Sequence, residues 1–267
     1  MPHVETNGIV TFYEDTGQGP PVVLIHGHAA DLRLWDLQTP ALVEAGYRVL
    51  RYDVRGHGRS TAPPTGYTWA NYALDLRDLL ECIAVPRAHV VGLSMGGGIA
   101  LQLALDFPER VSSLVPVDST LPGFDHSPEY GGAIEDLVAA VRVEGPRVAF
   151  ERLWLTHPLF DGLRRFPERF ELIRTTALAY AAADYLDETP YAPPERQAAD
   201  RLAELRAPTL VMVGELDIPD FQIIAEVLAG NIAGARLQVI ADSGHVPPLE
   251  QPQAFNQALL GFLGGVC

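Results

Sequence analysis

A serine hydroxyl becomes a useful nucleophile only when the backbone presents it openly and a base takes its proton. One stretch of this 267-residue chain has the residue types for that presentation: Gly92-Leu93-Ser94-Met95-Gly96, between an apolar run and a helix-forming segment. A chain turning sharply from strand to helix forces its central residue into a strained backbone and crowds the positions two residues either side. Both of those positions are glycine here. Gly97 and Gly98 let the helix start lie close to neighbouring strands. The Ser94 hydroxyl should project from the turn near the positive end of a helix. The bland alternative is a glycine-rich turn with an idle serine, and partner residues must decide between the two.

Of the 8 histidines, His245 is best placed as the base, in Asp242-Ser243-Gly244-His245-Val246-Pro247 after the last strand signal. In a parallel sheet such a loop opens at the carboxyl ends of the strands, the edge that also carries Ser94. A carboxylate must fix the tautomer of the base and stabilise its charged form. Asp217, in Gly214-Glu215-Leu216-Asp217 beyond another strand, is favoured; Glu215, Asp220 and Asp118 are the rivals, Asp118 because it too ends a strand. The oxyanion of acyl transfer needs two preorganised N–H donors. The backbone N–H groups of Met95, just after the nucleophile, and of His28, in His26-Gly27-His28, fit that need. His26 is expected to brace its loop. His3, His89, His126 and His157 lack such a context, although His157 could face a substrate.

Two other runs have competing readings. His26-Gly27-His28-Ala29-Ala30-Asp31 has the flavour of a metal-ligand run, but a H-x-H-x-D-H pattern would place the aspartate one residue earlier and add a histidine. No metal is expected. Asp53-Val54-Arg55-Gly56-His57-Gly58-Arg59-Ser60 follows a strand signal. It is expected to be a hydrogen-bonded loop buttressing the oxyanion strand, in preference to a catalytic role for Asp53 or His57.

The elements that must position these residues alternate along the chain. Strand signals occur at residues 9–14, 22–26, 47–52, 89–93, 113–117, 209–213 and 236–240, and helical periodicity at 37–45, 69–83, 95–106, 221–228 and 252–263. That order implies an α/β fold with a mostly parallel sheet flanked by helices. The alternation lapses from 119 to 206, about ninety residues and too long for an ordinary loop. The expected organisation is a core of residues 1–118 and 207–267 carrying a helical cap, 119–206. Trp154, Phe160, Phe166, Phe170, Tyr180 and Tyr185 concentrate in the cap. They pack it, line an apolar pocket, or both; Trp154, His157 and Phe160 are the expected substrate contacts.

Composition narrows the function. The hydrophobic share is 48% and the charged share 20%, the balance of a chain with a sizeable core. Net charge is −15, which repels phosphate backbones and anionic lipid heads and so argues against nucleic-acid and membrane partners. A small neutral substrate suits this surface. Residues 1–10 lack a signal-peptide pattern, and the longest apolar stretch, 90–105, is too short and too polar to span a bilayer. The 2 cysteines, Cys82 and Cys267, are expected to be free thiols in a reducing, cytoplasmic compartment.

Taken together, the residues resemble the α/β-hydrolase superfamily over nearly the whole chain. The resemblance rests on Leu24-Ile25-His26-Gly27, Trp35, Asp53 to Ser60, the Ser94 pentapeptide, Gly214 to Asp217, and Gly244-His245 followed by Glu250 and Pro252. Within the superfamily the chain looks most like 3-oxoadipate enol-lactonases, small carboxylesterases, acyl-homoserine lactonases and cofactor-free haloperoxidases; Asp217-Ile218-Pro219-Asp220-Phe221 is reminiscent of the enol-lactonases. The resemblance implies an eight-stranded sheet with one antiparallel edge strand and a cap between the sixth and seventh strands. It also implies the chain order Ser94, Asp217, His245 for the reacting groups, and no cofactor. Dehalogenase and epoxide hydrolase relatives carry aspartate at the elbow, where this chain has Ser94. C–C hydrolase and hydroxynitrile lyase activities fit the residues, but none of their substrate-reading motifs is found. The expected activity is hydrolysis of small carboxylic esters or lactones through an acyl-enzyme. A non-catalytic ligand receptor on the same fold is the alternative of another class.

Overall fold

A computed structural model describes residues 2–189 and 193–266. Cys267 lies outside the described residues; Cys82 is exposed and makes no disulfide. The chain runs β1 (His3–Thr6), β2 (Ile9–Thr16), β3 (Pro21–Ile25), α1 (Thr39–Glu44), β4 (Arg48–Tyr52), α2 (Trp69–Cys82), β5 (Ala88–Leu93), α3 (Met95–Asp106) and β6 (Val111–Val117). After β6 come α4 (Pro128–Glu144), α5 (Pro146–Ala149), which runs into a π-helical turn at Phe150–Trp154, α6 (Pro167–Ala179) and α7 (Ala183–Leu186), with short 3₁₀ turns between them. The alternation resumes with β7 (Leu210–Gly214), α8 (Pro219–Asn231), β8 (Arg236–Ile240), α9 (Pro247–Glu250) and α10 (Pro252–Leu263).

The eight strands form one sheet in the order β1-β2-β4-β3-β5-β6-β7-β8. Strands β3 to β8 are mutually parallel. β5 is buried along its whole length, as a central parallel strand covered on both faces must be. α3 packs behind it with nearly all its residues buried, so its sequence is apolar all round rather than striped. Apolar side chains of the sheet and of the helical segment after β6, such as Phe150, Leu159 and Leu163, belong to one continuous core. Among the described residues no helix is long and apolar enough to cross a membrane.

Two sequence expectations need correction. β1 carried no strand signal because it is four residues long and mostly exposed. Its marker was the turn: Asn7 and Gly8 both have positive φ (40° and 78°), the backbone of a two-residue hairpin, and Asn-Gly is the dipeptide that tolerates it. The antiparallel strand is also not at the edge. β2 runs antiparallel to both β1 and β4, so the hairpin turns β1 back into the direction of the parallel strands and leaves β2 one place inside.

A buried ion pair ties the hairpin to the body. Arg55, in the loop after β4, donates to Asp75 of α2 through Nε (2.8 Å) and Nη2 (2.7 Å), and Asn7 Nδ2 donates to the same carboxylate at 3.0 Å. Both charged partners are buried. Removing Asp75 would strand a buried guanidinium, so Asp75→Ala should cost about 3–5 kcal/mol in urea unfolding, whereas a surface pair such as Arg48–Asp15 should cost about 1 kcal/mol or less.

Candidate active site

Ser94 stands between β5 and α3 with φ 53° and ψ −115°, a conformation that costs a non-glycine residue about 1–3 kcal/mol. The neighbouring glycines allow it. A Cβ on Gly92 would strike the Gly96 carbonyl, and a Cβ on Gly96 would strike the carbonyls of Ile25 and His26 at the end of β3. Gly97 lets the start of α3 lie against the Gly92 carbonyl of β5 and against Ser119, just after β6, whereas Gly98 makes room for Thr120 and for Trp69 of α2. Backbone bonds hold the elbow, from Ser94 N–H to the Val117 carbonyl (2.9 Å) and from Gly97 N–H to the Ser94 carbonyl (2.9 Å).

His245 lies in the loop between β8 and α9 and is buried. Its Nδ1–H donates to Asp217 Oδ2 at 2.8 Å, which leaves Nε2 with the lone pair. The other oxygen of Asp217 accepts the Ile218 N–H at 2.8 Å. Ser94 and His245 line one cavity with Gly27, His28, Trp154 and Phe160, without a hydrogen bond between serine and imidazole in this state. Such contacts are often loose before substrate binds. The N–H groups of Met95 and His28 make no hydrogen bond among the described residues, so both are free to donate.

The rival residues have other work. Glu215 is exposed and accepts the Asp242 N–H (2.9 Å). Asp220 accepts the N–H and hydroxyl of Ser127 (2.7 and 2.8 Å), pinning the start of α4 to α8. Asp118 lies beside Asp217, with one oxygen accepting the Gly214 N–H at 2.8 Å. His26 uses both ring nitrogens: Nδ1–H donates to the Gly27 carbonyl (2.7 Å) and Nε2 accepts the Val54 N–H (2.9 Å). Asp31 caps a 3₁₀ turn and pairs with Arg33. His26 and Asp31 are thus committed to bracing the loop after β3. Asp53 completes that brace, accepting N–H groups from Leu32 (2.9 Å) and Arg59 (2.8 Å).

The helical segment after β6 covers the site. Trp154 and Phe160 line the Ser94 cavity, together with Ile173 of α6. His157 does not. It caps a 3₁₀ turn by accepting the Leu159 N–H and faces a neighbouring pocket of about 480 Å³ with Tyr130, Pro158, Ile218 and Pro219. Glu250 holds the His245 loop, a role that its place in the Gly244-His245 motif does not reveal: its carboxylate, 1% exposed, accepts the N–H groups of Gly244 (2.7 Å) and Val246 (2.9 Å). The histidine side chains beneath the cover were also not anticipated as a group. His28 is ringed by Phe150, Trp154, Tyr180 and Tyr185, and His57 stacks on Tyr180 at 4.4 Å.

Burial holds both rings neutral, with the pKa of each pushed down to about 3. In the unfolded chain each would titrate near 6.5. Their contribution to stability is whole above about pH 6.5 and is lost as pH falls toward 3, because over that window the unfolded chain binds protons the folded one refuses. Each ring adds a slope of about 1.4 kcal/mol per pH unit. His57→Gln should remove one ring's share of that slope when urea unfolding is followed between pH 6 and 4.5. An unchanged slope would show that His57 is not held neutral.

Comparison with known proteins agrees with this architecture. Residues 20–252 match the family model described as alpha/beta hydrolase fold. A thermophilic esterase from Thermogutta terrifontis is 32% identical with a TM-score of 0.84, over 100% of this chain and 99% of that one. The enol-lactonase from Burkholderia xenovorans LB400 is 28% identical with a TM-score of 0.86, over 98% of this chain and 100% of that one. Est816, described as an N-acyl homoserine lactone degrading enzyme, is 33% identical with a TM-score of 0.79, over 98% and 100%. With the elbow, the sheet order and the loops at its carboxyl edge in hand, the chain belongs to the alpha/beta hydrolase fold family.

Proposed function

We propose that this protein is a serine hydrolase of small, neutral, moderately hydrophobic carboxylic esters or lactones. The observation that carries the proposal is the strained Ser94 elbow sharing a cavity with His245, whose Nδ1–H is already committed to Asp217. His245 Nε2 takes the Ser94 proton as Oγ attacks the carbonyl carbon. The N–H groups of Met95 and His28 hold the oxyanion, and Asp217 stabilises the imidazolium. The tetrahedral adduct collapses to an acyl-enzyme, and His245 returns its proton to the leaving alcohol. Water, deprotonated by the same imidazole, then releases the acid. With a lactone, acid and alcohol leave as one molecule. Residues of this chain suffice for every step, so no cofactor enters the scheme.

The esterase and lactonase relatives support the reaction class. Enol-lactones and acyl-homoserine lactones are narrower candidates within it, in keeping with the substrates named for the two lactonase neighbours. The cavity at Ser94 holds only about 20 Å³, room for about one water. Substrate entry therefore requires Trp154, Phe160 and Ile173 to move, and we infer that the segment bearing them acts as a cap. The acidic chain and the apolar lining of the cavity disfavour anionic substrates.

Ser94→Ala should fold normally yet lose hydrolysis of an activated phenyl ester by about 10³-fold or more, and a fluorophosphonate should label Ser94 alone. Full turnover in the variant would refute the assignment. Absence of both turnover and labelling in the native protein would favour the receptor reading. Phe160→Ala should raise kcat/KM for octanoate relative to acetate esters by about tenfold or more by enlarging the acyl side of the cavity. An unchanged ratio would place the acyl group elsewhere.

A further inference from the structure

Asp118 follows β6 in the left-handed backbone region, at φ 39°, and is completely buried. Its N–H donates to the Met212 carbonyl at 2.9 Å, and its Oδ1 accepts the Gly214 N–H at 2.8 Å, so it joins the ends of β6 and β7. Oδ2 is buried without a hydrogen-bonding partner. One oxygen of Asp118, one of Asp217 and one ring nitrogen of His245 all lie within 4.8 Å of one another. Two buried carboxyl groups so close cannot both be ionised. Asp217 has the better claim on the charge, since it accepts both the imidazole N–H and the Ile218 N–H, whereas Asp118 accepts one backbone N–H. A cation among the three groups would have to break the His245–Asp217 bond, while a single proton completes the arrangement.

We propose that Asp118 is a neutral carboxylic acid that donates its proton in a hydrogen bond to Asp217, so that a carboxyl–carboxylate pair, and not a lone aspartate, orients His245. Burial, and next the charge of Asp217, push the Asp118 carboxyl well above the usual carboxylate range; Glu250 on α9 adds to this, and the Gly214 N–H opposes it. His245, Tyr130 of α4 and His157 are the other titratable groups that face Asp217. Asp118 is thus a positioning residue. Its donated bond spreads the negative charge of Asp217 and fixes the plane of that carboxylate. Loss of the donor would concentrate charge against His245 and strengthen its hold on a proton. The effect on turnover rests on the hydrolase reading above; the protonation state does not.

The test compares the native protein with Asp118→Asn and Asp118→Ala, using two measurements that need no substrate. Infrared spectroscopy at neutral pH should show the carbonyl band of a protonated carboxyl in the native protein and its loss in Asp118→Asn. Titration of the His245 ring by NMR should move up by about one pH unit in Asp118→Ala and return to the native midpoint in Asp118→Asn, whose amide supplies the same donor. On the acid limb of the pH profile, kcat/KM should fall about tenfold in Asp118→Ala and recover in Asp118→Asn. An ionised Asp118 would give the opposite sign, with both variants moving the midpoint down, and no infrared band; either result overturns the proposal. A midpoint unmoved in a folded Asp118→Ala also overturns it, because it leaves Asp118 a purely structural role. If Asp118→Ala does not fold, the infrared band and the Asp118→Asn midpoint decide. Should no form turn over esters while both spectroscopic results appear, the hydrolase reading fails and the carboxyl pair stands.

Discussion

Everything at this site depends on a backbone that is allowed to be strained. Ser94 sits in a region of φ and ψ that a residue with a side chain avoids, and it stays there because β5 and α3 are anchored independently on either side. The anchoring is steric as much as hydrogen-bonded. With no side chains at Gly92 and Gly96, the elbow closes on itself and on the end of β3 to a separation no Cβ would permit. The same closeness brings the loop after β3 beside the serine, so one packing constraint positions the Ser94 hydroxyl together with the N–H groups of Met95 and His28.

Around that elbow the parallel sheet acts as a collecting device. Loops after β3, β5, β6, β7 and β8 emerge at one edge, and each brings one candidate residue to it: His28, Ser94, Asp118, Asp217 and His245. Delivery alone would leave these loops loose. Asp53 and His26 clamp the first, and Glu250 clamps the last through two backbone N–H groups. These bracing groups are buried polar residues, and each is satisfied by backbone, the condition under which burial of polarity stiffens a site instead of weakening it.

The cover over the site is apolar and aromatic, yet it hides two neutral imidazoles and the Tyr180–Asp184 pair. His28 and His57 belong to the sheet layer, whereas Tyr180, Asp184 and Tyr185 belong to the cover, so polar groups are buried at the boundary between the two. Burial by the cover is what keeps these imidazoles uncharged.

Local chemistry was legible from residue order alone. The elbow, the helix that follows it, the last strand and the final helix are encoded by short-range sterics and by hydrophobic period, and both operate over a few residues. Ser94, His245 and Asp217 could be picked out because each follows a strand signal of a parallel sheet, a rule of chain direction and not of distance. Neighbourhood was not legible. Neither Asp118 beside Asp217, nor His157 lining a pocket separate from that of Ser94, nor Glu250 reaching back to the His245 loop has a local signature, and β1 was marked only by an Asn-Gly turn. Residue order settled which chemical groups exist and which edge of the sheet they reach. Only the folded register could decide which of them touch, because contacts between groups a hundred residues apart are set by how strands and helices pack, and a shift of one residue would exchange one buried partner for another.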